Sequence, residues 1–522
     1  MVKNSLFIIC TIFCYFHTFS ECSNLALVFF KDKENKNISL DAPVNKNNIQ
    51  KIESIGLEYK NSSRWLNAAI FIYNDVEKIN SIKQLDFVEK VDFGCINNPQ
   101  RTNTNYSKFE TEELSKTEEN QETNIDTIYN QQILQVKGNY IQNLNYKAQG
   151  MKIAVIDNGF PNTNIIEGLQ HIYNENRLLG TYNFYTNSDN VYHSSGSNHG
   201  SNCFSIIGGL LSNFSGSAPK ASFYLFRTEV DAIEGQTEEI LLSQALEAAY
   251  DSGVHVASIS LGYTEGFDDG TNNHTYAELD GKTTIAAKAV NIAASKGMIV
   301  CVSAGNEGNK TWKYLGTPAD ADSAFTIGAV DANGDTSSFT SYQFENTTKV
   351  KPNVVAMGTA TQYLNSANTI SSGNGTSYST PVIAGLTACL WQAFPEKTNW
   401  EIKTAIEQSA HLYPNTDNKR LGYGIPDFEK AYKSLAEMTK IDYNIDNEIK
   451  VFPTIFSDKI NISSNNNIKE INIYTTTGRL IDRLAVDEQK FKTIVLDNLE
   501  SNVYLLQIIT EQNTITKKVI KQ

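Results

Sequence analysis

Five short apolar runs in the middle of the chain are rich in β-branched residues, and helix-like stretches separate several of them along residues 126–437. The runs read MKIAVIDNG, ASFYLFRTEV, VHVASISLG, MIVCVSAGN and FTIGAV, and the helix-like stretches include TEEILLSQALEAAYDSG and TTIAAKAVNIAASKG. Strands that are apolar on both faces and alternate with helices are typical of a parallel sheet with helices on both sides. The pattern therefore predicts an α/β fold with a doubly wound parallel sheet, whose ligand crevice lies beyond the carboxyl ends of the strands.

Segments with a different composition and apolar pattern flank this region. Residues 21–97 mix apolar runs such as LALVFF and AAIFIY with helix-like ones, which predicts a small α+β domain. Residues 98–125 contain almost no large apolar side chains, so we expect a mobile, protease-accessible polar linker. Residues 445–522 alternate apolar and polar positions between Gly, Asn and Asp turns, which predicts a small antiparallel β-sandwich.

The first 20 residues have the pattern of a secretory signal peptide. They read MVKNSLFIICTIFCYFHTFS, with a positive start, a short apolar core and a small-residue end. A buried hairpin strand is the alternative, and a lipid anchor through Cys22 is disfavoured because Glu21 stands where a small residue is expected. No later segment approaches about 18 consecutive apolar residues, so no membrane span is expected. The chain is therefore predicted to be secreted or bound at the cell surface.

Charge and cysteine content exclude several classes of partner and site. The formal net charge is −14, from 58 acidic and 44 basic residues, which leaves no basic surplus to neutralise phosphates. Nucleic acid is therefore not an expected partner. Seven cysteines are scattered along the chain without a C-x-x-C spacing, which argues against a disulfide framework and a zinc site and favours buried free thiols.

Four polar residues fall where strands should end or helices begin. Asp157 stands near the end of MKIAVIDNG, His199 precedes a helix-like run in SNHGSN, Asn306 stands near the end of MIVCVSAGNEG, and Ser377 begins SYSTPVIAGLTACLW. Each has an ordinary alternative explanation as a turn aspartate, a core or surface histidine, a turn asparagine or an N-cap serine. Together they form the set that acyl transfer needs: a nucleophile, a base, an orienting carboxylate and an oxyanion donor.

The order of these residues along the chain identifies a family. IAVIDNG, NHGSN, VSAGNEG and GTSYSTPVIAG occur in the order aspartate, histidine, asparagine, serine, and they resemble the four motifs of the subtilisin-like serine proteases. The resemblance implies a subtilisin-like fold and a secreted serine endopeptidase that works through an acyl-enzyme. It implies Asp157 as orienting carboxylate, His199 as general base and then acid, Ser377 as nucleophile and Asn306 as oxyanion donor.

Two further segments resemble the strands that flank a peptide substrate in this family. They are SISLG, with Ser260, Leu261 and Gly262, and SAG, with Ala304 and Gly305. The resemblance implies capture of an extended protein or peptide substrate by main-chain hydrogen bonds. Two ordinary buried strands are the alternative.

The motifs depart from the family pattern at a few positions. Ser201 and Asn202 stand where the histidine motif usually has Thr and His, and Tyr378 and Ser379 stand where the serine motif usually has Met and Ala. Met357 replaces a usual proline. None of these changes removes a reacting atom, so they bear on fine specificity and not on the reaction.

The flanking domains also resemble known families. WLNAAIFIY and LDFVEKV in residues 21–97 resemble an inhibitory propeptide, which implies a domain that assists folding and blocks the cleft until the linker is cut. Residues 450–522 resemble the C-terminal sorting domain of type IX secretion, with Thr454 and Ile455 where that pattern favours Asn-Pro. This implies the outer-membrane secretion machinery as a partner. A non-inhibitory surface domain and a plain accessory β-sandwich are the alternatives.

A polar loop at residues 264–281 contains Asp268, Asp269 and Asp280 but lacks the spacing of a 12-residue calcium loop. We expect a solvated surface loop and assign no metal or cofactor, although calcium is a familiar stabiliser in this protease class. The rival functions are a catalytically silent peptide-binding protein on the same fold and a surface adhesin. No sequence feature favours either rival, because all four reacting positions hold the required residue types.

Overall fold

The structure is a computed structural model, and it divides the chain into two compact units, Met1–Ala431 and Tyr432–Gln522. The residues it describes are 24–34, 39–95, 129–192, 197–229, 234–267, 271–345, 349–415, 417–437, 449–512 and 514–521. The expected signal peptide at 1–20, Cys22 and the expected linker at 98–125 lie outside these residues. Within these ranges, every helix is too short or too polar to cross a membrane.

The first unit begins with a small α+β domain, as predicted. Its elements are β1 (Asn24–Phe30), α1 (Lys46–Ile55), β2 (Glu58–Ser63), β3 (Ala68–Tyr73), α2 (Val76–Lys83) and β4 (Val88–Cys95), and the strands pair antiparallel in the order β2-β3-β1-β4. Asn45 and Asp75 cap α1 and α2 by accepting a hydrogen bond from a first-turn N–H. Neighbouring residues of β1 point to opposite faces of this sheet and lie in two different hydrophobic cores. Val28 packs with α1 and α2, and Leu27 lies in a core shared with the parallel-sheet domain that follows in the chain.

The rest of the first unit is built on a parallel sheet of seven strands. Its elements are α3 (Gln131–Gln135), α4 (Gly138–Asn143), β5 (Lys152–Asp157), α5 (Gln170–Asn174), β6 (Leu178–Asn183), α6 (His199–Gly208), β7 (Leu210–Leu211), β8 (Phe214–Ser215), β9 (Ser222–Arg227), α7 (Gln236–Asp251), β10 (Val256–Ile259), α8 (Ile285–Ser295), β11 (Ile299–Ser303), β12 (Phe325–Val330), β13 (Val354–Met357), β14 (Thr361–Leu364), β15 (Ile370–Gly373), α9 (Thr376–Ala393) and α10 (Asn399–Ser409). The sheet order is β13-β12-β11-β10-β5-β9-β6, and each neighbouring pair is parallel.

Helices cover both faces of this sheet because its strands are apolar on both sides. Ala154 and Ile156 of β5 share one core with Leu241 of α7 and Val290 of α8. The intervening Val155 is also buried and points to the opposite face, since side chains alternate along a strand. There α6 and α9 pack against the sheet. The predicted doubly wound parallel sheet is therefore confirmed.

The second unit is an antiparallel β domain. Its strands are β16 (Ile449–Phe452), β17 (Ile455–Phe456), β18 (Lys459–Thr475), β19 (Leu480–Val495), β20 (Val503–Thr510) and β21 (Thr514–Lys521). They pair in the order β16-β18-β20-β21-β17, with β19 also paired to β18, and only β17 and β21 among these described strands run parallel. Ile460, Ile462, Ile471 and Leu506 lie in its core. The antiparallel pairing predicted for this domain is confirmed, and its layering as a β-sandwich stays a prediction.

Candidate active site

Four polar residues lie at the carboxyl edge of the parallel sheet. Asp157 is the last residue of β5, and His199 is the first residue of α6. Asn306 follows β11 in a turn, and Ser377 is the second residue of α9. Because β5, β10 and β11 run parallel, their carboxyl ends meet at one edge. The structure thus brings the four residues predicted from the sequence to one rim.

A short hydrogen bond joins Asp157 and His199. Oδ1 of Asp157 lies 2.7 Å from Nδ1 of His199, and the two side chains are 0% and 3% exposed. The backbone N–H of Asn158 donates to the same Oδ1 at 2.8 Å and fixes the carboxylate. Since Nδ1 faces a carboxylate, Nδ1 carries the proton of the neutral ring and Nε2 is left to accept one.

Gly200 allows α6 to approach β5 closely. A Cβ at this position would lie 2.3 Å from the carbonyl oxygen of Gly159 and 3.0 Å from Cβ of Asp157. The N–H of Gly200 also donates to Oδ1 of Asn158 at 3.2 Å. The glycine that follows His199 is therefore required by packing, and it sets how close the imidazole and the carboxylate come.

Opposing effects set the charge state of His199. Burial is the largest single effect and lowers the pKa of His199, but the contacts with Asp157 and Cys203 raise it, and the pKa lies well above its ordinary value of 6.5. The Sγ of Cys203 lies 3.9 Å from Nδ1 of His199. Burial raises the pKa of the Cys203 thiol, so the thiol stays protonated near neutral pH and Asp157 is the anion that stabilises the imidazolium.

Ser377 lies inside the first turn of α9, and Gly375 occupies the N-cap position. The N-cap alternative for Ser377 is therefore wrong: its N–H is one of the helix-start donors that no intrahelical carbonyl can satisfy. The carbonyl oxygen of Ser377 accepts from Oγ of Ser260 at 2.9 Å and from Sγ of Cys203 at 3.4 Å. These bonds replace the usual helical one, because Pro381, four residues on, has no N–H.

The side-chain amide of Asn306 is held by the residue before Ser377. Oδ1 of Asn306 accepts from the N–H of Thr376 at 2.9 Å and from its Oγ1 at 3.0 Å, so the oxygen is turned towards α9. The Cβ that Gly375 lacks would lie 3.6 Å from Nδ2 of Asn306 and 3.7 Å from the backbone nitrogen of Ser377. Two N–H donors thus flank the same space beside the serine, which is the arrangement an oxyanion requires.

The five predicted substrate-binding residues follow β10 and β11 at the same edge; they are Ser260, Leu261, Gly262, Ala304 and Gly305. Leu261 and Ala304 are only 4% and 0% exposed, and both pack in the core that the sheet shares with α7 and α8. Gly262 is exposed. Ser260 has a contact that its motif did not indicate, the hydrogen bond to the carbonyl of Ser377.

Two groups of side chains have the composition of a metal site. Oδ1 of Asp280 accepts from the backbone N–H groups of residues 282 and 283 at 2.9 and 2.8 Å, so it caps a turn, which fits a solvated loop. Asp268 and Asp269 lie outside the described residues. The other group comprises Asp157, His199 and Cys203, whose ligand-type atoms lie within 4.8 Å of one another. The protonated thiol makes this group a poor ligand set.

Sequence reasoning missed three neighbours of the reacting residues: Thr376, Cys203 and Tyr378. The Tyr378 ring stacks on the His199 ring with centroids 6.1 Å apart and planes 26° apart. Adjacency to Ser377 was the available signal for Thr376. Cys203 is four residues after His199 on a helix, a spacing that turns both side chains to one face. The predicted buried free thiols are found at Cys203, Cys301 and Cys389 among the described cysteines.

The chain matches three family models. The subtilase family matches residues 148–424, about half of the chain. A Peptidase S8 propeptide domain described for Bacteroidota matches residues 31–110, and a secretion system C-terminal sorting domain matches residues 450–522. All three resemblances inferred from the motifs are therefore confirmed.

Curated relatives and a solved structure agree with these matches. Alkaline elastase YaB of Bacillus sp. is 27% identical over 301 residues, which are 57% of this chain and 69% of that protein. Subtilisin NAT of Bacillus subtilis subsp. natto is 27% identical over 287 residues, 54% of this chain and 66% of that protein. The chain thus spans about two thirds of each relative. The epidermin leader peptide processing serine protease of Staphylococcus aureus shares the fold, with a TM-score of 0.56 and 18% identity over 79% of this chain and 99% of that one.

Proposed function

Because the chain belongs to the subtilase family of serine peptidases, we propose that it is a secreted endopeptidase that hydrolyses peptide bonds through an acyl-enzyme on Ser377. The observation that carries this proposal is the buried hydrogen bond of 2.7 Å between Asp157 and His199, at the rim where Ser377 and Asn306 also lie. A buried carboxylate–imidazole pair beside a serine is the arrangement that turns a hydroxyl into a nucleophile.

The first half-reaction forms the acyl-enzyme. Oγ of Ser377 attacks the carbonyl carbon of the scissile bond while Nε2 of His199 takes the hydroxyl proton. The carbonyl electron pair moves to oxygen, and Nδ2 of Asn306 and the N–H of Ser377 hold the oxyanion. Asp157 stabilises the imidazolium. As the oxyanion collapses, the C–N bond breaks and His199 gives its proton to the leaving amine.

The second half-reaction repeats these steps with water. His199 takes a proton from the water that attacks the acyl carbon, and the same two donors hold the new oxyanion. Collapse breaks the bond to Ser377 and returns the proton to its Oγ, so a free carboxylic acid and the original enzyme remain. Each proton that His199 accepts is given up within the same half-reaction.

The segments at residues 260–262 and 304–305, which follow β10 and β11, are proposed to flank an extended peptide substrate. Main-chain pairing there would supply affinity with little dependence on sequence, because the side chains of Leu261 and Ala304 point into the core. Protein or peptide chains are therefore the proposed substrates.

The domain at residues 21–97 is proposed to act as an inhibitory propeptide, released when the linker at 98–125 is cut. Its turn at residues 63–65 docks on α7: the N–H groups of Arg64 and Trp65 both donate to the Glu247 carboxylate at 3.2 Å, and Ser63 Oγ donates to it as well. The Arg64 guanidinium makes two hydrogen bonds of 2.7 Å to Asp251. Such a paired, partly buried interface restrains the domain on the peptidase until the chain is cleaved.

The N-terminal and C-terminal segments are proposed to act as export signals. A signal peptide at 1–20 would direct it across the inner membrane, and the domain at 445–522 would be read by the outer-membrane secretion machinery, since residues 450–522 match a sorting domain. The peptidase domain between them, at 126–437, would reach the cell surface or the medium.

The experiment that tests this function compares the processed protein with Ser377→Ala on casein. The wild type should hydrolyse casein and the variant should not, while both unfold at the same temperature. Unchanged hydrolysis by the folded variant would overturn the assignment of Ser377.

A further inference from the structure

Two of the positions at which this chain departs from the usual family motifs contact each other beside the reacting histidine. Tyr378 follows the proposed nucleophile directly, and Asn202 lies three residues after His199 on α6. Nδ2 of Asn202 donates to the Tyr378 hydroxyl oxygen at 3.2 Å, across 176 positions of sequence. We propose that Tyr378 and Asn202 form a positioning pair that holds the His199 imidazole and stabilises its cation; this rests on the function proposed above.

The position of the Tyr378 ring is fixed on several sides. The ring is fully buried, and it packs against the ring of Tyr363 with centroids 5.5 Å apart. A Cβ at Gly373 would lie 2.5 Å from Cε2 of Tyr378, so the missing side chain leaves the space that the ring fills. With its hydroxyl held by Asn202, the ring has little freedom to turn.

The fixed ring restrains His199 in a direction that Asp157 does not. Asp157 binds Nδ1 in the plane of the imidazole, at 2.7 Å. Tyr378 is a near-parallel, offset neighbour of the imidazole, with 6.1 Å between the ring centroids and 26° between the planes. An in-plane hydrogen bond leaves the tilt of an imidazole free, and a stacked ring limits that tilt. Together the two contacts fix the direction in which Nε2 of His199 points.

The stacked ring also favours the charged form of His199. A cation within about 6 Å of an aromatic face is attracted by the ring quadrupole, and the attraction is larger in a desolvated site. Asp157 faces His199 from β5, the protonated thiol of Cys203 faces it from one turn along α6, and Tyr378 faces it from α9. Removal of the aromatic face should therefore make the imidazolium less stable while the negative charge of Asp157 remains.

The test is the dependence of kcat/KM on pH for Tyr378→Met, which replaces the ring with a flexible side chain. Active sites are counted with an organophosphonate. We expect the acid limb of the profile to move to lower pH by about 0.4 to 1.5 units, with kcat reduced and KM little changed. Tyr363→Phe is the control, because it changes the neighbouring tyrosine but keeps the ring that packs on Tyr378, and its acid limb should stay at the wild-type pH.

A second pair of variants keeps the test decisive if the methionine variant does not fold. Tyr378→Phe keeps the aromatic ring. Replacement of Tyr378 by pentafluorophenylalanine keeps the shape of the ring but reverses its quadrupole. The fluorinated protein should have its acid limb at lower pH than Tyr378→Phe. Equal midpoints for these two proteins, or for Tyr378→Met and the wild type, would overturn the cation-stabilising role.

The hydrogen bond is tested by a double-mutant cycle. Asn202→Ala and Tyr378→Phe should each lower kcat by about 2- to 13-fold, the effect of one hydrogen bond, and the double variant should lose no more than either alone. Additive losses would show that the two residues do not act as a pair. If these results fail while Ser377→Ala is inactive, the positioning pair is wrong and the proposed reaction stands; if Ser377→Ala retains activity, the proposed reaction itself is wrong.

Discussion

Replacement of Thr376 by valine should slow the reaction and leave substrate binding nearly unchanged. Oγ1 of Thr376 donates to Oδ1 of Asn306 at 3.0 Å, and the backbone N–H of Thr376 donates to the same oxygen at 2.9 Å. Valine has the same shape without the hydroxyl, so it removes the first bond and keeps the second. The Nδ2 donor of Asn306 then has one restraint in place of two.

These contacts set the size of the effect. One neutral hydrogen bond contributes about 0.5–1.5 kcal/mol, which corresponds to about 2- to 13-fold in kcat. The upper bound is the loss of the whole donor in Asn306→Ala, about 10²–10³ in kcat, the size known for such a donor in a subtilisin. Thr376 Oγ1 also accepts from the N–H of Gly305 at 3.1 Å, so a small rise in KM is expected as well.

The assay is steady-state hydrolysis of a peptide p-nitroanilide by wild type, Thr376→Val, Asn306→Ala and the double variant. Thr376→Ser is the matched control, because it keeps the hydroxyl, and it should behave like the wild type. If Thr376 acts through Asn306, valine should have no further effect once Asn306 is alanine. An equal loss of kcat in both backgrounds would refute this reasoning.

Three further changes test other contacts. Asp157→Asn removes a charge that raises the pKa of His199. The acid limb of kcat/KM, which lies above pH 6.5 in the wild type, should therefore move to lower pH, and kcat should fall about 10⁴-fold. An unmoved acid limb would contradict this. Gly200→Ala introduces a Cβ 2.3 Å from the carbonyl oxygen of Gly159 and should lower the free energy of unfolding in urea by about 1–3 kcal/mol. Wild-type stability of this variant would contradict the prediction and would show that α6 can shift without cost. Glu247→Ala removes the acceptor of three donors in the propeptide-like domain, which should weaken the docking of this domain. Peptidase activity should therefore appear earlier during processing of the full chain than in the wild type. An unchanged time course would argue against this docking site.

The fold follows from the sequence because its determinants are local. The apolar strand runs alternate with amphipathic or apolar helices, and only a parallel sheet covered on both faces buries such strands as β5 and β11. The candidate site follows from the same logic, since Asp157, His199 and Asn306 are fixed at strand ends or a helix start by turn residues beside them. Parallel strands then bring these positions to one edge.

Contacts between distant segments could not be predicted in this way. The meeting of Asn202 and Tyr378 depends on how α6 packs against α9, and no local pattern encodes that packing. The N-cap alternative for Ser377 failed because the helix begins earlier than its apolar run: Thr376 already has helical geometry, and Gly375 provides the cap. Cap positions depend on backbone angles, which residue type specifies only weakly.

The central claim is that Ser377 is the nucleophile and that His199 activates it. Processed protein is treated with a biotinylated organophosphonate, digested and analysed by mass spectrometry. The account predicts one adduct, on the Oγ of Ser377, that is absent in Ser377→Ala and forms far more slowly in His199→Ala. An adduct on another residue, or equally fast labelling of folded His199→Ala, would contradict it.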